Sequence, residues 1–280
     1  MTRRPPVPAT PAAVEVLPTL DLSGPALRAG LQALRDAAAR AGGLETVLDA
    51  LRLKVRLFGE LAGGGRIAGL EEGPLLALCT LMATVRRHVA SWLAVNGFAS
   101  LHGHLVALLD GGGDLQDRFD AFLARVPGGT RERWLRDLAA ELLHFTDPER
   151  VPLMTRWMWD AAVGSGVLRE IWFEDDAAAA MLPSDRVGTF RTLRRELDGF
   201  LREAGMYRDL ALLQDLLCAQ IYARYINDRG GAYLKRDFTG EEDPLAHTRR
   251  LLGLDCWSGD GLRIKLKPPA AVAAVTAAPG

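Results

Sequence analysis

Leu27, Leu31 and Leu34 recur at helical spacing behind Ser23 and Pro25, and Gly42–Gly43 closes the run. Each residue type has its reason. A serine oxygen can cap the first free N–H groups, a proline in the first turn presets φ, and a glycine accepts the left-handed backbone at a helix end. The next run, 44–62, carries Leu48, Leu51, Val55 and Phe58 on one face and stops at Gly63–Gly65, so the two runs read as an αα-hairpin. The pattern of apolar helical period, then glycine or proline, recurs along the chain. β-branched residues are few beside Ala, Leu, Arg and Glu, which favours helix again. Strands do not alternate with helices, so no doubly wound sheet is implied. There is no internal repeat and no sustained heptad.

In chain order, the spacing predicts a nearly all-apolar central buried helix over 72–95, closed by Asn96–Gly97, then helices at 98–109 and 114–125, broken by Pro127–Gly129. A helix over 131–145, with Thr130 as its cap, leads into the turn Thr146-Asp147-Pro148. A further helix is expected over 152–163, ended by Gly164-Ser165-Gly166, and then a helical turn or a single strand over 167–173. A short helix at 177–181, long ones at 184–204 and 209–228, one from Asp243 to Leu252 and a lone strand at 261–267 complete the reading. The expected architecture is all-α: one multi-helix globular domain of roughly ten helices over 21–267, with poorly ordered Pro/Ala-rich tails at 1–20 and 268–280.

The 280 residues, 49% of them hydrophobic, suffice for a sizeable core. The net charge of −1 gives no support to nonspecific phosphate binding, so no nucleic-acid partner is expected, though a local basic face stays open. Cys79, Cys218 and Cys256 are far apart and form no CxxC. That usage fits a reducing compartment, and a cytoplasmic location is expected. The N-terminal arginines are followed by prolines and not by an apolar signal region. The most apolar stretch, 74–95, is interrupted by Arg86, Arg87 and His88, so no membrane span is expected.

The common catalytic signatures are incomplete. Glu141 and His144 form an ExxH on one helical face, half of a carboxylate-bridged metal site, but the second ExxH is missing. The competing reading is a hydrogen-bonded pair near a helix end. His102 and His104, in a helix, point about 200° apart and cannot chelate together. Asp114, Asp117 and Asp120 read as an acidic first turn. Ser165 has no GxSxG context, and the glycine clusters lack the Lys-Ser/Thr of a P-loop. The sequence names no cofactor. The order of helix, DPE turn and Asp-bearing helix does not place the chain with the all-helical DNA-repair glycosylases: the LPGVG hairpin is absent, and no lysine occurs between Lys54 and Lys235.

Four of the six tryptophans fall between Trp134 and Trp172, threaded with polar residues. Arg156 and Asp160, four apart on the expected helix, would pair on one face. The candidate ligand-binding set is His144, Arg150, Arg156, Trp157, Asp160 and Glu170: arginines for an acidic ligand and aromatic walls for a flat one. The expected function is a cytoplasmic helical binding or accessory protein that takes a small molecule or a protein partner on residues 141–172. The alternative is a helical enzyme acting on a small acidic or aromatic substrate, its metal-dependent form using Glu141 and His144. A charge network that merely locks the turn between two helices is the structural competitor.

Overall fold

The computed structural model describes residues 20, 22–172, 182–229 and 243–256. The expectations for 1–19, 268–280, 177–181 and 261–267 lie outside these residues; Leu20, expected in the poorly ordered tail, is instead buried, with its N–H donating to Glu196 at 3.0 Å. Among the described residues there are eleven α-helices and no strand, so the chain is all-α as its periodicity requires. Local rules account for many boundaries. α1 (Gly24–Arg40) starts where Ser23 Oγ accepts from the Ala26 N–H at 3.3 Å. α2 (Leu44–Ala62) is the second arm of the expected hairpin. α5 (Phe98–Asp110) follows the positive-φ Gly97, and α6 (Leu115–Arg125) is capped by the Asp114 carboxylate on Gln116 N–H at 2.8 Å. α7 (Arg133–Thr146) has Glu132, not Thr130, at its N-cap.

The expected helix over 72–95 is two helices, α3 (Glu72–Thr80) and α4 (Val89–Asn96). Between them the chain runs in tighter three-residue turns: Met82 N–H donates to the Cys79 carbonyl, Val85 to Met82 and His88 to Val85. A straight helix buried all round would have buried Arg86, Arg87 and His88 with it. The turns leave Arg87 and His88 exposed. The helix buried on all sides is instead the first part of α10 (Leu210–Arg229), in which every residue from Ala211 to Ile221 is buried. It packs against α1, α2, α8 (Val167–Ile171), α9 (Val187–Glu203) and α11 (Ala246–Leu251). α7 packs against α2, α5 and α6, and the buried apolar side chains form one continuous core.

The expected helix over 152–163 does not form. Its backbone groups are claimed by tertiary partners. Arg156 N–H donates to Asp137 on α7, the Trp157 and Met158 carbonyls accept from Val167 and Leu168, and Asp160 and Ser165 exchange hydrogen bonds across an isolated bridge. Gly166 (φ +130°) lies where a Cβ would come within 2.7 Å of the Met158 carbonyl oxygen. A side chain there would force this buried loop apart. The segment after it resolves as the short helix α8, tied back to the chain start by Ser23 N–H on the Ile171 carbonyl at 2.6 Å. No single described helix is long and apolar enough to cross a membrane; α4 and α5 meet that criterion only as a pair bent by 110°.

Candidate functional site

Asp137, Glu141 and His144 lie along one face of α7. All are buried, and each reaches a different part of the fold. Asp137 takes three hydrogen bonds from Arg156: the backbone N–H at 2.9 Å, Nε–H at 3.1 Å and Nη2–H at 2.9 Å. Glu141 accepts from Lys54 of α2 at 2.9 Å. His144 Nδ1–H donates to the Val151 carbonyl at 2.7 Å, and its Nε2 is hydrogen-bonded to Asp215 Oδ2 of α10 at 2.8 Å. Glu141 and His144 are therefore not a pair, and among the described residues no group of three or more His, Cys, Asp or Glu could hold a metal ion.

Lys54 is the residue that reading by periodicity passed over. It is wholly buried on the apolar face of α2. Its three ammonium hydrogens have three acceptors: Glu141 Oε2, the Leu252 carbonyl at 2.8 Å and the face of Phe145, whose ring centre is 3.7 Å away. Burial pulls the Lys54 ammonium below its ordinary value and pushes the Glu141 carboxyl above its own, and each charge partly offsets the penalty on the other. The signal in the sequence was a lysine in line with Leu51 and Phe58.

Four of the six candidate residues meet at Tyr222 of α10: Trp157 stacks on its ring, and Glu170, Arg156 and Asp160 act on its phenol. His144 borders a void of only about 10 Å³. Arg150 is solvent-exposed, 3.6 Å from Asp147. Trp157 is buried and stacks on Tyr222 at 6.3 Å, which stacks in turn on Tyr225 at 5.8 Å. Asp160 is buried and bound by Arg133, not by Arg156. Glu170 sits on α8 and acts on the Tyr222 phenol, which burial, first of all, pushes upward.

Arg156 lines a cleft of about 420 Å³. Its other basic walls are Arg87 and His88, from the turns between α3 and α4, and His247 and Arg250, from α11. The floor is apolar: Ala83, Ile226 and Leu251. Among the described residues, no carboxylate lines it. Arg87 and Arg250 are exposed and have no ion-pair partner among the described residues. Arg156 spends Nε and Nη2 on Asp137, which leaves Nη1 over. The Thr84 hydroxyl oxygen is buried and makes no hydrogen bond. The His88 ring is stacked on Trp134 at 6.0 Å. The lining residues other than Arg156 went unread in the sequence, although the break of an apolar run by Arg86-Arg87-His88 marks one wall. Comparison with protein-family models, curated proteins and solved structures finds no significant match to the chain.

Proposed function

We propose that the protein binds a small organic anion in the Arg156 cleft, and that a doubly charged group such as a phosphate monoester is what the cleft's basic walls take. The observation that carries this reading is the charge imbalance: three arginines and two histidines around one cavity, with no carboxylate among the described residues that line it. Guanidinium groups suit phosphate and carboxylate oxygens, and an unpartnered buried hydroxyl adds a donor. The volume is that of a small-molecule site, and the apolar floor favours a ligand with a carbon body over a bare inorganic ion. The enzyme reading has less support, because Glu141 with Lys54 and His144 with Asp215 are committed to each other and do not line the cleft. A reducing, cytoplasmic setting is supported by three buried free thiols.

The test is calorimetric titration of the full chain with phenyl phosphate, pyrophosphate and inorganic phosphate. Binding is expected to weaken with salt, and roughly 10- to 100-fold in Arg87→Ala or Arg250→Ala, since a charge-assisted hydrogen bond contributes about 1.5–3 kcal/mol. Equal affinity in both variants would place the ligand elsewhere.

A further inference from the structure

Residues 243–256 form a strap, α11 with its flanking turns, that supplies one wall of the cleft through His247, Arg250 and Leu251. Leu245, Leu252 and Leu254 of the strap are buried in the core, and four further contacts hold it down. Lys54 reaches from inside the core to the Leu252 carbonyl at 2.8 Å. Arg86 makes two hydrogen bonds to the Asp255 carboxylate, at 2.8 and 2.7 Å. Thr248 Oγ donates to Gln220 of α10 at 2.6 Å. Gly253, at φ +69°, lies so near the Leu81 carbonyl that a Cβ would come within 1.8 Å of its oxygen. Leu81 and Arg86 belong to the same turns, 81–88, that carry Thr84, Arg87 and His88 on the facing wall. The seam between strap and turns therefore runs through the cleft, and an anion held by Arg87 and Arg250 together would cross it.

We propose, resting on the anion reading above, that Lys54 is a positioning residue for the cleft: it docks the strap from within, and a bound anion locks the docked strap over the Lys54–Glu141 pair. The coupling follows from mass action. A ligand that needs both walls binds only the docked state, so it suppresses undocking by a factor of 1 + [L]/Kd. The docked strap also buries Cys256, whose thiol donates to the Gly253 carbonyl at 3.1 Å. Cys79 on α3 and Cys218 on α10 are equally buried but lie outside the strap. Cys256 is thus a built-in reporter of undocking, with two internal controls.

The experiment is timed maleimide labelling of the folded full chain, with each cysteine followed by peptide mass spectrometry, with and without pyrophosphate. At about ten times its Kd, pyrophosphate is expected to slow Cys256 labelling roughly tenfold and leave Cys79 and Cys218 unchanged. Lys54→Met combined with Glu141→Leu removes the tie without leaving a buried carboxylate alone. It should label at Cys256 at least about tenfold faster than the parent. Arg86→Ala, which frees Asp255 at the partly exposed end of the strap, should accelerate labelling in the same direction and covers the case in which the core variant does not fold. Pyrophosphate that binds by calorimetry yet fails to protect Cys256 would overturn the coupling while leaving the anion site in place. No binding of any anion would overturn both. Parental labelling in the folded core variant would remove Lys54 from the role.

Discussion

Replacing Asp137 by alanine tests the claim that this one carboxylate, and not helix propensity, shapes the segment after Pro152. Asp137 is 1% exposed and accepts three hydrogen bonds, one on Oδ1 and two on Oδ2. Removing it strands the Arg156 guanidinium and the Arg156 backbone N–H together. Loss of one partner of a buried ion pair costs about 3–5 kcal/mol. The Arg156 side chain is 26% exposed, so water reaches it and the lower end applies, about 3 kcal/mol. At roughly 2–4 °C per kcal/mol for a chain of this size, the melting temperature should fall by roughly 6–12 °C. Asp137→Asn should recover little. Both carboxylate oxygens accept, and an amide turns one of those positions into a donor. The pair Asp137→Leu with Arg156→Met should be more stable than Asp137→Leu alone, because it removes the stranded charge, while anion binding weakens. Calorimetric melts at pH 7 on the four proteins of the cycle give the coupling energy directly. An Asp137→Ala protein that melts within about 2 °C of the parent, or a double variant no better than its single, would refute the reasoning.

Two further outcomes follow from particular side chains. The Thr192 hydroxyl on α9 is wholly buried and makes no hydrogen bond, so Thr192→Val should leave the melting temperature unchanged or raise it by a few degrees, about 1 kcal/mol of removed desolvation; a clear drop would mean the hydroxyl has a partner. The guanidinium of Arg52, hydrogen-bonded at 2.7 Å, holds the Asp209 carboxyl below the usual carboxylate range, ahead of any effect of burial. A depressed carboxyl stabilises the fold above its unfolded pKa and ceases to do so as pH falls through its folded one. Asp209→Asn should therefore cost at most about 1 kcal/mol at neutral pH, given the pair's partial exposure, and the gap should close below about pH 4; a gap that persists in acid would assign it to something other than charge.

The parts of the fold that were legible in the sequence are those set by neighbours along the chain. Ser23, Asp114 and Gly97 mark helix ends by local hydrogen bonds or local φ, and the helix 44–62 is bounded by glycine on both sides. The illegible parts are set by residues distant in sequence. Pro152 to Gly166 has helical periodicity, yet Asp137, 19 residues before Arg156, takes the N–H that a helix would have used. The run 72–95 is apolar enough for one helix, but three basic side chains in it need water or a carboxylate, and Arg86 finds Asp255 a full 169 residues away. The site divides in the same way. Arg156 was legible as a polar residue among aromatics. Its cleft neighbours come from two other segments, and only the tertiary fold brings them to one cavity. Lys54 paired with Glu141, 87 residues on, has no spacing rule that would reveal it.

The three-residue polar row on α7 has a consequence for how many folds the chain can adopt. Apolar faces tolerate sliding, because one leucine in a socket is nearly as good as another. Asp137, Glu141 and His144 are not interchangeable. The first needs an arginine and an N–H, the second an ammonium, the third an acid beside a carbonyl, and these wait on three different elements. If α7 turned or shifted by one residue in its seat, all three would be stranded in the interior at once, at several kcal/mol each. The row works as a key cut: its net contribution to stability can be small, while the gap between the correct seating and every neighbouring one is large.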